Sequence, residues 1–358
     1  MRIAIFADIH ARGKDAKALA AQCGAAAGAV RTKDIDLVTF VGDVFDAPNI
    51  GDSRLSTGGV VAIMQRFVAD LIGGQRQVLM IVGNHDQAGS GSQDALHVFD
   101  EIPGVHIVRE PENIFMAGCE IACLPWSWAG AGNDPAEELA RLASERKGKK
   151  FDLLLGHVQV VGAKMNSHVT CEASPGKWQI DRETLSAFPA RHIALGDFHL
   201  RHDLTNGRGG YVGAFRNLSH NEEGNPAGFE IWDSVTGETE WVELDAAPKY
   251  QTIPVASLDE PAPSGYDLKN TVTRVDFGID PDPAEVARLE AMGVEVRIIK
   301  GRDERIVRAV VDESIVHNAR GLIDLWAKAQ NPPVTPERMT RMSTAYDRMV
   351  ADAQPAEV

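Results

Sequence analysis

A short block with three different polar side chains, Gly83-Asn84-His85-Asp86, follows the apolar run 78–82. A strand that ends in this tetrapeptide places an amide oxygen, an imidazole and a carboxylate on one tight loop. Four other apolar runs also end in side chains of the kinds that bind metal ions. Together the five blocks supply these candidate ligands: Asp8, His10, Asp43, Asn84, His157, Asp197 and His199.

The candidate ligands are carboxylates, imidazoles and one amide, and they include no thiolate. This mixture suits Mn²⁺, Mg²⁺, Fe²⁺ or Zn²⁺ better than a soft ion. A carboxylate such as Asp43 can bridge two ions, and two ions about 3.5–4 Å apart can hold a phosphate and activate water as a nucleophile. One Asp-x-His block would be weak evidence, but five blocks together predict a metal centre.

Short buried strands that alternate with helices position these blocks. The predicted strands are 2–7, 37–41, 78–82, 151–155 and 191–195. The predicted helices are 14–31, 54–72 and 134–146, the last with Asp134 as its N-cap and Pro135 at the first helical position. Because open α/β sheets bind ligands at the carboxyl ends of their strands, the sequence predicts an α/β fold whose strand ends converge on one site.

Composition limits the class of protein. The chain has 358 residues, 44% of them hydrophobic, and a formal net charge of −15, so it is not a uniformly basic nucleic-acid binder. A phosphate substrate is still compatible, because divalent cations and clustered basic side chains supply local positive charge. Cys23, Cys119, Cys123 and Cys171 form no CxxC pair, and we expect reduced, buried thiols. No secretory leader or membrane-length apolar run is present, and we expect a soluble cytoplasmic protein.

The order Asp-x-His, Gly-Asp-x-x-Asp, Gly-Asn-His-Asp, Gly-His and Gly-x-x-His within residues 8–199 resembles the calcineurin-like metallophosphoesterase superfamily. Within it, the spacing of the blocks and the segments 210–215 and 228–233 resemble the SbcD-type nuclease subunit of bacterial and phage DNA double-strand-break repair complexes. The resemblance implies a two-sheet α/β sandwich over 1–248, a small α/β unit like a DNA-capping domain over 249–312, and a terminal helical segment over 313–358.

The resemblance also implies two metal positions with one bridging carboxylate. Asp8, His10 and His199 would hold one ion, Asn84 and His157 would hold the other, and Asp43 would bridge them. Mn²⁺ is the first expectation, with Mg²⁺, Fe²⁺ and Zn²⁺ as alternatives.

Three further side chains receive roles without binding metal. His85 would contact the scissile phosphate and assist the departure of the leaving oxygen, as a general acid or an orienting group. Asp46 and Asp86 would support the ligand loops from behind, since metal-bound imidazoles usually donate their other N–H to a carboxylate or carbonyl.

The last block departs from the family pattern Gly-His-x-His, because the chain has Asp197 where the pattern has its first histidine. A carboxylate ligand would favour a harder ion such as Mn²⁺ or Mg²⁺ at the second position. It could equally leave that position weak.

The implied function is that of a metal-dependent DNA nuclease, with 3′→5′ exonuclease action on duplex ends and endonuclease action on single strands. The implied assembly is a homodimer that works with a coiled-coil ATPase of the SbcC type. Arginines near the strand ends can contact DNA phosphates; they are Arg12, Arg54, Arg201, Arg208 and Arg216. An apolar stripe near the C-terminus is expected to bind the ATPase; it comprises Met339, Met342, Tyr346 and Met349.

Two alternative functions stay open. A metallophosphoesterase that acts on small molecules or phosphoproteins would carry the same five blocks, but it would not need the residues after 250. A DNA-end-binding scaffold with weakened catalysis would result if Asp197 disables the second metal position.

Overall fold

Parallel strands form the centre of the structure, a computed structural model that describes residues 1–73, 76–87, 94–126, 134–166, 169–255, 270–278 and 280–299. The strands are β1 (Arg2–Phe6), β2 (Leu37–Val41), β3 (Gln77–Ile81), β4 (Val105–Val108), β5 (Glu112–Met116), β6 (Cys119–Leu124), β7 (Phe151–His157), β8 (Gln159–Val160), β9 (Gln179–Ile180), β10 (Ala190–Gly196), β11 (His202–Asp203), β12 (Gly209–Tyr211), β13 (Gly228–Asp233), β14 (Thr239–Glu243), β15 (Lys249–Val255), β16 (Thr271–Phe277) and β17 (Glu295–Ile298). The α-helices are α1 (Ala16–Thr32), α2 (Val60–Ile72), α3 (Pro135–Glu145), α4 (Arg182–Ala187) and α5 (Pro283–Ala291), and 3₁₀ turns lie at Gly13–Asp15, Ala95–Phe99 and His220–Glu222.

Two six-stranded mixed sheets carry the fold. The first has the order β14-β13-β1-β2-β3-β4, in which β1 to β4 are parallel and β13 and β14 are antiparallel to their neighbours. The second has the order β11-β12-β10-β7-β6-β5, with β12, β10, β7 and β6 parallel. Each sheet therefore presents several parallel carboxyl ends at one edge.

Alternating side chains of the strands fill three separate cores, as the two-residue period of a strand requires. In β1, Ile3 and Ile5 pack between the two sheets, together with Leu153 and Leu155 of β7. Alternate residues such as Phe6 of β1 face α1 and α2, and the corresponding residues of the second sheet face α3 and α4. This layering confirms the predicted two-sheet α/β sandwich.

The helix boundaries follow local backbone chemistry. As predicted, Asp134 caps α3, and its carboxylate accepts a hydrogen bond from the backbone N–H of Ala136 at 2.7 Å. The predicted helix 54–72 was too long, because α2 begins at Val60. Gly58 and Gly59 have φ values of 68° and 67°, a left-handed conformation that does not continue a right-handed helix.

Two compact units divide the chain, and residues 1–253 belong to the first. Near the end of the described chain, β15, β16 and β17 form a three-stranded sheet, and α5 lies between β16 and β17 in sequence. The predicted strand, helix and strand at 271–299 are therefore present, whereas the domain limits 1–248, 249–312 and 313–358 stay predictions. The predicted partner stripe (Met339, Met342, Tyr346 and Met349) lies outside the described residues.

A membrane-spanning helix is not found in the described part of the chain, where every helix is too short or too polar to cross a bilayer.

Candidate metal centre

The carboxyl ends of five parallel strands carry the predicted ligands. In the first sheet, the ligands follow β1 (Asp8 and His10), β2 (Asp43) and β3 (Asn84); in the second, they end or follow β7 (His157) and β10 (Asp197 and His199). Direct contacts such as those of Asp43 and Asn84 with His157 join the two sets across the sheets. The structure therefore brings all seven predicted ligands to one place.

Strained backbone accompanies the ligands. Asp8, His10, Asp43 and Asp197 have φ values of 50°, 45°, 51° and 97°. Few residues other than glycine adopt positive φ. Each such residue costs on the order of 1 kcal/mol and persists only where the surrounding structure enforces it. Such strain concentrates at functional sites. In this chain the strained residues are predicted ligands, and the strained backbone directs their side chains towards one centre.

Gly42 shows why a glycine precedes the ligand at the end of β2. Its φ is +80°, and a Cβ at this position would lie 2.1 Å from Nδ1 of His157. Only a residue without a side chain allows the β2 loop and the His157 ring to approach so closely.

Asp8, His10 and His199 form the first cluster, and their ligand atoms all lie within 4.8 Å of one another. The Nε2 atoms of His10 and His199 face each other at 3.0 Å. Two of the three side chains are fixed by neighbouring groups. Oδ1 of Asp8 accepts a hydrogen bond from the backbone N–H of Asp197 at 3.0 Å, and Nδ1 of His199 lies 2.6 Å from Oε1 of Glu222.

Asp8, Asp43 and His157 form a second cluster of the same size, and Asn84 completes it. Oδ1 of Asn84 lies 2.8 Å from Nε2 of His157. Asp43 reaches both clusters, because its Oδ2 is 3.4 Å from Nε2 of His10 and its Oδ1 is 3.5 Å from Nε2 of His157. This is the position that a bridging carboxylate requires.

The tautomers of the histidines favour metal binding. Nδ1 of His157 lies 2.8 Å from the carbonyl oxygen of Val41, which can only accept, so Nδ1 carries a proton and Nε2 points into the site. In the same way, Nδ1 of His199 lies 2.6 Å from Oε1 of Glu222. Both rings thus offer Nε2 to an ion, while their other nitrogen is fixed by an acceptor.

The charged side chains of the site shift one another's pKa values. Burial lowers the pKa of His157, but Asp43 and the other nearby carboxylates outweigh it and raise this pKa to about 10. His157 and Asn84, whose Nε2 and Oδ1 atoms lie 2.8 Å apart, are two of the residues that would hold an ion. Burial opposes the ionisation of Asp43, yet the adjacent His157 and His10 hold the pKa of Asp43 below its usual range. The site is built to hold positive charge.

Orphaned oxygens give a second sign that the residues fit divalent ions. Oδ2 of Asp8 and Oδ2 of Asp197 are buried and have no hydrogen-bond partner among the residues that the structure describes. Burial raises the pKa of Asp8 to about 7 and also raises that of Asp197. Because buried oxygens normally have a partner, these two atoms are oriented for a cation. Asp197 lies farther from His157 than Asp43 does. Its Oδ1 is 3.9 Å from Nε2 of His157, compared with 3.5 Å for Oδ1 of Asp43.

His85 differs from the ligands in its exposure. Its side chain is 40% exposed, and its ring meets the edge of the buried His10 ring with a centroid distance of 4.6 Å. Asp46 lies between the two rings: Oδ1 is 3.3 Å from Nδ1 of His10 and 3.8 Å from Nδ1 of His85. The contact with His10 lacks the alignment of a hydrogen bond.

Asp86 supports the ligand loops from beneath. Its buried carboxylate accepts hydrogen bonds from the backbone N–H groups of Phe45 at 2.9 Å, Gly83 at 3.0 Å and Val44 at 3.3 Å. These bonds tie the β3 loop to the β2 loop that carries Asp43.

Glu222 was not predicted from the sequence. It orients His199, and its second oxygen, Oε2, accepts a hydrogen bond from the backbone N–H of Leu218 at 2.5 Å. The only sequence signal at this position is the Ser219-x-x-Glu222 spacing of a helix capping box. A capping box indicates a structural role for Glu222 and gives no sign of its contact with His199.

The predicted DNA-contacting arginines are engaged within the protein. Arg12 pairs with Asp15, Arg54 with Asp52 and Arg201 with Glu230, and Arg208 donates to the carbonyl groups of Ser186, Phe188 and Ala190. Arg216 requires a correction. It is only 2% exposed and donates to the carbonyl oxygen of His10 at 2.9 Å, so it positions the His10 loop and is not presented to DNA.

A comparison with protein families agrees with this geometry. A family model described as calcineurin-like phosphoesterase matches residues 1–201. A comparison with curated proteins gives no match. Among solved structures, the chain is similar to TT1561 of Thermus thermophilus, with 12% identity, a TM-score of 0.39, and coverage of 68% of this chain and 98% of that one.

It is also similar to GAP50, described as the anchor in the inner membrane complex of Plasmodium (11% identity, TM-score 0.37, 85% of this chain and 98% of that one). A hypothetical protein, PH1004 from Pyrococcus horikoshii, matches with 10% identity, a TM-score of 0.30, and coverage of 68% and 87%. The structural scores are too low to carry an argument. The family match spans more than half of the chain and includes every predicted ligand, and the chain belongs to the calcineurin-like phosphoesterase family.

Proposed function

We propose that the chain is a DNA nuclease that hydrolyses phosphodiesters with the help of two divalent ions, as a subunit of an SbcCD-like repair or recombination complex. The observation that carries the hydrolytic part of the proposal is the pairing of a buried ligand cluster with one exposed imidazole, His85. A substrate phosphate that enters from solvent meets His85 at the mouth of the cluster.

When bound, two ions supply Lewis-acid stabilisation of the phosphate and lower the pKa of water towards neutrality. Asp8, His10 and His199 would hold one ion and Asn84 and His157 the other, with Asp43 between them. We propose Mn²⁺ as the physiological ion, because Asp197 adds a hard oxygen donor beside the second position.

His85 is proposed to act on the leaving group. Its ring is exposed enough to reach a substrate oxygen, and its Nδ1 faces Asp46. A carboxylate in that position keeps the ring oriented, so that the other ring nitrogen is available to assist the departing oxygen.

DNA as the substrate is supported by the nuclease-like spacing of the five blocks and by the α/β elements after residue 250. With a net charge of −15, the chain needs other sources of positive charge to bind DNA. We propose that the ions, local arginines, a second copy of the chain and an SbcC-type coiled-coil ATPase supply it, within the cytoplasm.

The decisive test offers the protein two substrates with Mn²⁺: a labelled DNA duplex and p-nitrophenyl phosphate, a phosphomonoester. We expect nucleolytic products from the duplex that disappear with a chelator. Rapid turnover of the monoester without any cleavage of duplex or single-stranded DNA would refute the nuclease proposal and favour a small-molecule or phosphoprotein phosphatase.

A further inference from the structure

A cavity of about 370 Å³ lies in the first unit of the chain, within residues 12–57. It is open to solvent on one side and is lined by Arg12, Lys14, Asp46, Ser53, Arg54 and Thr57. The metal centre uses only one of these residues, Asp46. Arg12 and Arg54 are two of the arginines predicted above to contact DNA, whereas Lys14, Ser53 and Thr57 have no role in the chemistry described so far.

Asp46 places the cavity beside the reacting groups. One of its carboxylate oxygens contacts the rings of both His10 and His85 at 3.3 and 3.8 Å. A molecule in the cavity is therefore one side chain away from His85, on the exposed side of the buried cluster. It can be part of the same substrate whose phosphate lies at the metal centre.

Positive charge and hydroxyl groups dominate the cavity lining. Three side chains are cations (Arg12, Lys14 and Arg54), and Ser53 and Thr57 add hydroxyl donors. Asp46 is the only acidic residue of the lining. In a chain with a net charge of −15, this concentration of donors and cations is chemically suited to the oxygens of a phosphate group.

The cations are available for a ligand. Among the described residues, Lys14 has no acidic partner. Arg54 is 48% exposed, and in the described part of the chain its ion pair is with Asp52, an exposed pair of the kind that contributes little and exchanges readily. Arg12 is fixed by Asp15 and by the carbonyl oxygen of Leu218, and these contacts use Nε and Nη2, so Nη1 has no protein partner in the part of the chain that the structure describes.

The two walls of the cavity are joined by backbone. The N–H of Gly13 donates to the carbonyl oxygen of Arg54 at 2.6 Å. A Cβ at Gly13 would lie 2.0 Å from Oγ1 of Thr57, so only glycine permits this approach. The cavity is thus a defined feature of the fold, held between the loop after β1 and the loop before α2.

We propose that this cavity is a subsite for a second phosphate of the substrate, next to the phosphodiester that is cleaved. The inference rests on the proposed function, because it assumes that a phosphodiester lies at the metal centre. It makes the substrate class more specific: the preferred substrate carries a neighbouring phosphate on the same strand, as an oligonucleotide does.

The test uses thymidine dinucleotides that share one phosphodiester: one without further phosphate, one with a 5′-phosphate and one with a 3′-phosphate. With Mn²⁺, we expect one of the two phosphorylated forms to have a kcat/KM about tenfold higher than the plain form, the value of one additional charge-assisted contact. The form that gains identifies the side of the scissile bond that faces the cavity.

Variants of the lining residues test whether the gain from the second phosphate comes from this cavity. In Lys14→Gln, Arg54→Gln and the double variant, the ratio of kcat/KM with and without the second phosphate should fall towards one. The control is Arg66→Gln, since Arg66 is 85% exposed on α2 and does not line the cavity; it should keep the wild-type ratio. Equal activity on all three dinucleotides, or a gain that survives in the double variant, would overturn the subsite.

Failure of the proposed function looks different. In that case the wild-type chain cleaves neither the dinucleotides nor the labelled duplex, with Mn²⁺ or any other ion. Calorimetric Kd values for the same three compounds then decide on the subsite alone: tighter binding of a phosphorylated form, lost in the double variant, supports it, and equal binding refutes it.

Discussion

Replacing Glu222 by glutamine tests whether the unpredicted carboxylate controls metal binding. Its two oxygens have two separate donors, Nδ1 of His199 at 2.6 Å and the backbone N–H of Leu218 at 2.5 Å. Glutamine has the same shape but only one acceptor oxygen, and its NH₂ group is a donor. In Glu222→Gln, either the N–H of Leu218 loses its acceptor, or the amide NH₂ faces His199, whose Nδ1 must then accept while the ring proton moves to Nε2.

The expected size of the effect follows from these contacts. Burial lowers the pKa of His199, but Glu222 and Asp8 outweigh it and raise this pKa to about 9. Without the carboxylate the imidazole is a weaker base and is less firmly oriented, and such outer contacts typically change metal affinity by about 10- to 100-fold. An unpaired, buried N–H of Leu218 would cost roughly 1–3 kcal/mol of folding stability as well.

Titration calorimetry with Mn²⁺, together with thermal melting of the metal-free chain, measures both effects. The control is Glu243→Gln, because Glu243 is 56% exposed and its ion pair in the described ranges is a 3.4 Å contact with Lys249; it should match the wild-type chain in both measurements. If Glu222→Gln binds Mn²⁺ with wild-type affinity at all sites, then Glu222 does not act through His199 and the assignment is wrong.

Three other predictions concern separate residues. His85→Ala should keep the wild-type Mn²⁺ content and lose about 10²- to 10⁴-fold in kcat; metal analysis that falls in step with activity would make His85 a ligand instead. Asp197→His should bind Zn²⁺ more tightly relative to Mn²⁺, because imidazole is a softer donor than carboxylate, and an unchanged calorimetric ratio would place Asp197 outside the coordination shell. Burial raises the pKa of the Cys23 thiol to about 12, so mass spectrometry should find it unmodified after iodoacetamide treatment of the folded chain at pH 8, whereas rapid labelling would contradict its burial.

The central strands were predictable because each is a short apolar run that stops at polar residues. Both faces of these strands are covered, so hydrophobicity is continuous and the end of the run marks the end of the strand. The minor strands β8, β9 and β11 were not predicted. They have two residues each, too few for a period to be seen, and tertiary contacts alone define them.

The positions of the ligands were also predictable, because parallel strands bring their carboxyl ends to one edge of a sheet. The contacts that orient the ligands were not predictable. The carbonyl oxygen of Val41, which orients His157, has no side-chain signature, and Glu222 reaches His199 from a 3₁₀ turn 23 residues further along the chain. Sequence patterns record spacing within an element, but these partners meet only after both sheets have assembled.

Arg216 illustrates the difference between a residue near a site and a residue that builds it. A buried guanidinium requires acceptors, and Arg216 finds them in Asp15 at 3.2 Å and in the carbonyl oxygen of His10 at 2.9 Å. His10 itself has a left-handed backbone that is unfavourable without support. Because Arg216 holds the peptide of the strained ligand and Asp86 holds the loop that follows Asp43, the fold uses charged residues to fix the ligand loops. The contacts available to a substrate are left to the exposed groups: His85 at the centre, and Lys14 and Arg54 in the cavity beside it.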